Sequence, residues 1–284
     1  MSEFIEPSLI EMEAEIERLE SFPALQFARR VWLESSYRSI RNVRISLCTT
    51  CMGRLSDLAT TLPKNILDNA DYPELEFVVL DYNSSDNLGT WIGSEMRHEI
   101  ESGRLIYART NEPTVYSMTH SRNMAFRVAT GEIVCNVDAD NFTGVGFAEK
   151  INELAQWRAS GVVFGKGPRK LRGRLGFWKT DFVNVLGGYD EDIEDYGFDD
   201  WDILLRAWAS GFVLLPFGED YHDQTDSPKY QVDNMKCKDW RYTEVRNRLL
   251  SLRNISAGRL KANVGRAWGQ GLIVKNFRER MLLE

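Results

Sequence analysis

The chain has 284 residues, 43% hydrophobic and 27% charged, with a formal net charge of −7. That length suits one large domain with extensions, and the acidic balance argues against nucleic acid as the main partner. No apolar stretch approaches a membrane span, and the acidic start MSEFIEPSLIEMEAE is unlike a signal peptide, so a cytoplasmic protein is expected. The charge is uneven: residues 190–202 hold eight acids and no base, whereas residues 231–284 hold twelve Lys/Arg against five Asp/Glu. Cys48, Cys51, Cys135 and Cys237 form neither a disulfide framework nor a complete zinc set and are read as reduced thiols.

Taken in order, the apolar residues from Leu9 to Trp32 suit a helix with a break near Pro23. Residues 1–39 therefore read as a helical arm that packs on the domain or pairs two copies into a homo-oligomer. Val43–Thr49 reads as a strand, followed by a helical pattern through Leu55, Leu58, Leu62, Ile66 and Leu67. Leu75–Asp81 is a second strand, Leu88–Glu101 a helix closed by Gly103, and Arg104–Arg109 a third strand. Ser117–Thr130 is a helix closed by Gly131 and leads into the strand that opens Glu132–Asn141. Strand and helix alternate, which predicts an α/β protein with a Rossmann-like, mostly parallel sheet flanked by helices. The first turn, Thr49–Arg54, has one glycine, so it lacks the closely spaced glycines of a dinucleotide-binding turn or a P-loop.

Further on, Gly144–Ser160 reads as helix and Val162–Phe164 as strand. Gly165–Arg174 is a basic, glycine-bearing loop suited to an anionic ligand or to plain solvent. A helix runs from Asp200 to Gly211 and a strand from Phe212 to Pro216. The tail Lys236–Arg280 reads as basic helices that cover a cleft, dock on anionic lipid, or present a solvated face.

Two acidic clusters stand out. The apolar run Ile133, Val134, Cys135, Val137 ends in Asp138-Ala139-Asp140, the signature of a buried strand emerging at the ligand-binding edge of an open sheet. Two carboxylates at i and i+2 repel when desolvated, so a cation or solvent is expected beside them. Asp-x-Asp alone is common; its partner is Asp199-Asp200, placed where a helix begins and carboxylates favour the helix dipole.

The segments that carry a resemblance are Thr49 and Arg54 after the first strand, Asp81 closing the second, Ser121-Arg122-Asn123, Val137-Asp138-Ala139-Asp140, Gly187-Gly188-Tyr189-Asp190-Glu191 and Tyr196-Gly197-Phe198-Asp199-Asp200. In this order the chain resembles a GT-A glycosyltransferase of the family 2 type from about Val43 to His222. Its second half is similar to the C-terminal catalytic segment of galactosyl- and N-acetylgalactosaminyltransferases. It departs from the family pattern in the first loop, usually Pro-x-Tyr-Asn-Arg, in Tyr82 where a second acid often stands, and in Asp199-Asp200 in place of Glu-Asp.

The resemblance implies an inverting, metal-dependent transfer of Gal, GalNAc or a similar sugar from a UDP-sugar to a hydroxyl of a saccharide or glycolipid acceptor, as in polysaccharide biosynthesis. It implies that Asp138 and Asp140 hold Mn²⁺ or Mg²⁺, with Asp138 reaching the metal or the ribose and His222 as third ligand. Asp200, beside Asp199, is the implied general base. Arg122 faces the diphosphate or braces the site, Asp81 meets the uracil, and Thr49 or Arg54 the nucleotide. Phe177, Trp178 and Trp201 are candidates for stacking on sugar faces. The expected division is an arm at 1–39, a catalytic domain at 40–230 with its nucleotide-sugar half at 40–142 and acceptor half at 143–230, and a basic helical extension at 231–284. The competing readings are a nucleotidyltransferase on a related fold and a non-catalytic nucleotide-sugar or carbohydrate-binding module.

Overall fold

A computed structural model describes residues 41–157, 160–165, 173–218, 221, 223–226 and 232–284. The expected arm at 1–39, His222 and the 166–172 part of the basic loop lie outside the described residues. The strands are β1 (Ile45–Cys51), β2 (Leu75–Tyr82), β3 (Leu105–Thr110), β4 (Ile133–Asn136), β5 (Val162–Gly165), β6 (Leu175–Trp178), β7 (Val213–Pro216), β8 (Gly271–Lys275) and β9 (Glu279–Leu283). They form one sheet in the order β7-β5-β6-β4-β1-β2-β3-β8-β9. The central pairs β1–β2, β2–β3 and β1–β4 are parallel, and β1, β2 and β4 are buried throughout. Their near-continuous apolar sequences follow from having a packed layer on both faces.

The helices are α1 (Leu55–Asp68), α2 (Leu88–Glu95), α3 (Arg97–Glu101), α4 (Met118–Val128), α5 (Phe147–Ala155), α6 (Asp199–Ala209) and α7 (Trp240–Ser256). The chain steps outward through β1, β2 and β3, then α4 carries it back to lay β4 on the other side of β1. That reversal is a topological switch point, and the crevice beyond the carboxyl ends of β1 and β4 is where such sheets bind ligands.

Several elements differ from the sequence expectation for local reasons. The helix expected over Leu88–Glu101 breaks at Met96, whose φ of −113° is not helical. The helix expected from Gly144 starts at Phe147, because Gly146 takes a left-handed conformation. Leu175–Trp178 is a strand, antiparallel to both β4 and β5, so Phe177 and Trp178 are buried sheet residues and not sugar platforms. The tail is helical only through α7; residues 271–283 form a hairpin that extends the sheet antiparallel to β3. Its turn uses Asn276 and Phe277, both at positive φ. Phe277 stacks on Tyr107 at 4.6 Å, and the Asn276 Oδ1 accepts from the Tyr107 N–H, which together seat the hairpin on the sheet edge.

One feature of α1 positions the site. Its inner face carries Thr61, Asn65 and Asn69, all buried, at i, i+4 and i+8. Thr61 donates to the Ala139 carbonyl (2.6 Å), and Asn65 donates to the Asn141 carbonyl (2.9 Å) while accepting from the Thr143 N–H (2.8 Å). Asn69 accepts from the Ala148 N–H and donates to the Thr143 hydroxyl. Three side chains thus satisfy backbone groups of the loop that follows β4, whose one bridge among the described residues pairs Asn141 with Gln224. We expect Asn65→Ala to lower unfolding free energy by about 1–3 kcal/mol, the range for stranding buried partners. Chemical denaturation at neutral pH measures it; a change near zero would mean the loop is held otherwise.

Candidate active site

The crevice at the switch point is a cleft of about 990 Å³. Thr50, Met52, Gly53 and Arg54 line it from the first turn, Asp138 to Asn141 from beyond β4, and Tyr196 to Trp201 from the start of α6. The two acidic clusters, about sixty residues apart in sequence, therefore face one space.

A single guanidinium joins them. Arg122 lies on α4 and is 1% exposed, flanked by the buried polar residues Ser121 and Asn123. It donates to Asp138 Oδ1 (3.0 Å), to Asp200 Oδ1 (3.0 Å) and to Asp199 Oδ2. Its plane also lies 5.4 Å from the centre of the buried Tyr189 ring. One cation against three carboxylates leaves an excess of negative charge in a poorly solvated place. Burial pushes Asp200 up to about 7, against the opposing pull of Arg122 and helped by Asp199 and Asp138. Burial raises Asp199 as well, again opposed by Arg122. Burial is the main cause in both cases, because desolvation disfavours the charged form.

Local backbone geometry sets the α6 carboxylates. Gly197 and Phe198 both have positive φ (96° and 70°), so the chain turns sharply into the helix and leaves Asp199 and Asp200 in its first turn. Further along α6, buried Asp202 accepts from Arg206 Nε at 2.8 Å, and Arg206 donates to the carbonyls of Leu186 and Gly188. The residue after Arg122, Asn123, donates to the Tyr189 carbonyl and to Glu191, and accepts from the Tyr189 N–H. The Gly187–Glu191 turn is thus clamped between α4 and α6, which holds Arg122 and the two aspartates in register.

Gly173 completes the wall. Its φ is +65°, and a Cβ there would lie 1.7 Å from the Asp138 carboxylate. No larger residue fits there without displacing that carboxylate.

Asp140 faces the cleft beside Arg54, whose guanidinium is 3.3 Å from Oδ2 and is also held by Asp57 at 2.6 Å. Burial, then the charge of Asp138, raises Asp140 above the usual carboxylate range. Among the described residues no three His, Cys, Asp or Glu side chains are gathered as a metal cage. A nucleotide-bound Mg²⁺ or Mn²⁺ needs less, since one or two carboxylates with substrate phosphates and water suffice. Asp138 and Asp140, two hard oxygen donors at a ligand-sized cleft, each sharing its guanidinium with other carboxylates, fit that requirement.

Two expected nucleotide contacts sit outside the cleft lining. Thr49 is buried and donates to the Val137 carbonyl at 2.8 Å, tying β1 to the end of β4. Asp81 is fully buried; Oδ1 accepts from the Ser84 N–H, and Oδ2 accepts from Tyr107 (2.6 Å) and Arg109 (2.7 Å). Tyr82, where relatives often carry a second acid, is buried and hydrogen-bonds His120 Nδ1 at 2.7 Å. Thr50, Tyr116, Asn234, Met235 and Glu244 line the cleft and were not anticipated. The Thr50 hydroxyl meets Tyr116 at 2.6 Å, and Asn234 donates to the Met52 carbonyl at 2.7 Å, so the segment before α7 closes over the first turn. Of the three aromatics proposed to stack on sugars, Trp201 alone lines the cleft.

The profile of Glycosyl transferase family 2 matches residues 46–206, more than half of the chain and the whole span from β1 to the end of the Asp202–Arg206 pair. The chain belongs to glycosyl transferase family 2. It is a glycosyltransferase with a GT-A fold. Among solved structures, this glycosyltransferase is similar to the mannosyltransferase PcManGT from Pyrobaculum calidifontis in complex with GDP-Man and Mn²⁺, with a TM-score of 0.58 and 19% identity over 88% of this chain and 76% of that one. It is also similar to S. aureus TarS 1–349 in complex with UDP-GlcNAc, at TM-score 0.55 and 15% identity, covering 78% and 68% of the two chains. GalNAc-T7 with UDP, GalNAc and Mn²⁺ matches at TM-score 0.55 and 12% identity, covering 76% of this chain and 48% of that one. A search of curated proteins finds no significant match. At these identities the structural likeness speaks to the shared fold.

Replacing Arg122 tests the central electrostatic knot. Arg122→Met leaves buried Asp199 and the partly buried Asp200 and Asp138 without their cation, and we expect it to lose about 3–5 kcal/mol of stability at pH 8. The deficit should shrink towards pH 5, because protonating Asp199 and Asp200 removes the charge that Arg122 offsets. Denaturation curves at the two pH values check this; a pH-independent deficit would point to lost packing instead.

Proposed function

We propose that this glycosyltransferase transfers a sugar from a UDP-sugar to a hydroxyl of a saccharide or glycolipid acceptor, with inversion at the anomeric carbon and dependence on a divalent cation. The observation that carries the reading is the Arg122 bridge, which holds Asp138 of the Asp-x-Asp pair and the Asp199-Asp200 pair around one cleft. Glycosyl transfer needs both a means of stabilising the leaving diphosphate and a base for the acceptor hydroxyl.

Asp138 and Asp140 would hold Mn²⁺ or Mg²⁺, and a cation there supplies charge neutralisation for the leaving diphosphate. His222, outside the described residues, remains the proposed third ligand. Arg54, at the same end of the cleft, adds a fixed positive charge for the nucleotide phosphates. Asp200 is the general base: it accepts the acceptor's hydroxyl proton as that oxygen attacks the anomeric carbon opposite the leaving group, which inverts the centre. Its raised pKa, about 7, suits proton abstraction near neutral pH. Asp199 shares the Arg122 guanidinium and positions its neighbour. Trp201 at the rim offers an aromatic face to the sugar or acceptor. Uridine as the donor base is favoured by two of the three structural neighbours, which were solved with UDP or UDP-GlcNAc. Gal or GalNAc as the sugar rests on the resemblance of the second half alone.

Three outcomes are expected. First, Asp200→Asn should lower kcat by about 10²–10⁴-fold, the usual worth of a positioned base, with nucleotide affinity nearly unchanged; retained turnover would remove Asp200 from the role. The same variant should gain stability between acid and neutral pH. The native pKa of about 7 exceeds the ordinary 3.8, so in that window the folded state binds the extra proton and wild-type stability falls as pH rises. The neutral amide escapes that loss, and its advantage should grow from pH 4 to pH 7 and then level off. Second, wild-type turnover should rise from pH 6 to pH 8 with a midpoint near 7, since only ionised Asp200 accepts a proton; a flat profile contradicts it. Third, Asp138→Ala/Asp140→Ala should abolish the metal-dependent part of nucleotide binding, measured by calorimetry with UDP and Mn²⁺. A screen of nucleotide-sugar hydrolysis with GDP-mannose included identifies the donor; preference for GDP-mannose would overturn the uridine assignment.

A further inference from the structure

Helix α7 is polar where it is buried and apolar where it is exposed. Its inward residues are Thr243, Asn247 and Ser251, spaced four apart and all fully buried. Thr243 donates to the Tyr196 carbonyl at 2.8 Å, and Asn247 donates to the carbonyls of Glu194 and Gly197, each at 2.9 Å. The packed face thus serves as a hydrogen-bonding strip for the acidic loop that leads into α6.

The opposite face carries Tyr242, Val245, Leu249 and Leu252, which are 62%, 67%, 49% and 45% exposed. At about 100° per residue, these four fall within a stripe roughly 80° wide, centred opposite Asn247. Arg241 and Arg248 flank the stripe on one side, Arg246 and Arg253 on the other. The stripe runs for about 15 Å along the helix at 1.5 Å per residue. Four arginines against one acid, Glu244, make this helix basic in a chain whose net charge is −7. Ordinary packing leaves no such arrangement, because an outward face normally carries the polar residues.

We propose that the exposed face of α7 docks on an anionic lipid bilayer. Tyr242, Val245, Leu249 and Leu252 would enter the boundary between headgroups and acyl chains, and Arg241, Arg248 and Arg253 would meet lipid phosphates on either side, while Arg246 is held by the Glu194 carbonyl and Asp195; this is the arrangement of an interfacial amphipathic helix. The charge decides for lipid over a second protein. A protein-binding stripe requires an acidic rim on its partner at both edges, whereas an anionic bilayer presents negative charge all round. The attachment is to a surface: among the described residues no helix is long and apolar enough to cross a membrane. Glu244 on the same helix lines the cleft, so docking would hold the cleft mouth close to the bilayer, where a lipid-linked acceptor resides. Only this last point rests on the proposed acceptor; the docking does not.

The test uses the full chain and vesicles of phosphatidylcholine with or without about one-third phosphatidylglycerol, with no acceptor present. We expect co-sedimentation with the anionic vesicles only, falling steeply between low and physiological salt. Arg241→Gln/Arg248→Gln should weaken binding by on the order of tenfold or more, from the loss of two surface-facing charges. Val245→Ser/Leu249→Ser should weaken it comparably at all salt concentrations while leaving donor hydrolysis unchanged. Absence of binding to anionic vesicles, or equal binding by both variants, overturns the proposal. So does a wild-type dimer, seen by light scattering, that the serine variant dissociates without any vesicle binding, because the face is then a contact between copies. Hydrogen exchange on the wild type gives a readout independent of how the variants fold. Slower exchange over residues 240–256 on adding anionic vesicles is expected, and its absence also overturns the proposal.

Discussion

The active cleft depends on one buried guanidinium. Arg122 carries a full charge into a place almost without water, where an isolated ion costs several kcal/mol. Three carboxylates compensate it, and they come from two separate parts of the chain: Asp138 from the end of β4, Asp199 and Asp200 from the start of α6. The compensation is lopsided, since three negative groups surround one positive one. Burial first, with the neighbouring acids adding to it and Arg122 opposing it, raises the proton affinity of Asp199 and Asp200. The same burial that costs the fold stability thus leaves Asp200 with a pKa of about 7. Such a trade between stability and activity is common where a site must hold charge ready for a ligand.

Around that centre the molecule repeats a single device. On α1, Thr61, Asn65 and Asn69 face inward and satisfy the loop after β4; on α7, Thr243, Asn247 and Ser251 face inward, and the first two satisfy the loop before α6. The first loop carries Asp138 and Asp140, and the second leads directly into Asp199 and Asp200. Irregular backbone beside a ligand cleft cannot pair in a ladder, so side chains must complete its hydrogen bonds if the carboxylates are to keep their positions. The sheet supplies the crevice, and these two polar strips fix what lines it.

Length, alternation and turn chemistry were enough to read the α/β class, the parallel centre and the strand that ends in Asp138. Those features are local, written in periods of two and of three to four residues. The resemblance added the pairing of Asp138 and Asp140 with Asp199 and Asp200. What was not legible shares a cause. Thr61, Asn65, Asn69 and their counterparts on α7 look like solvent-facing residues, because a periodicity of polar side chains carries no sign of burial. Leu175–Trp178 is four residues long, too short for a period to register, and its aromatics passed for ligand platforms. The hairpin at 271–283 overlaps the tail Lys236–Arg280, whose basic composition reads as helix, although Leu272-Ile273-Val274 and Met281-Leu282-Leu283 flank an Asn that suits a tight turn.

The sequence by itself determined the α/β class and, through the order of its motifs, the resemblance that marks out the acids available for chemistry; Asp-x-Asp alone would not have done so. Only the tertiary structure decided which groups meet. Arg122 gives no sign in its own helix that it will be enclosed by acids sixteen and seventy-seven residues away. Asp81, promising as a nucleotide contact, is instead held by Tyr107 and Arg109. The physical reason is the same in both cases: burial and charge balance are properties of neighbours in space, and the fold alone assigns those neighbours.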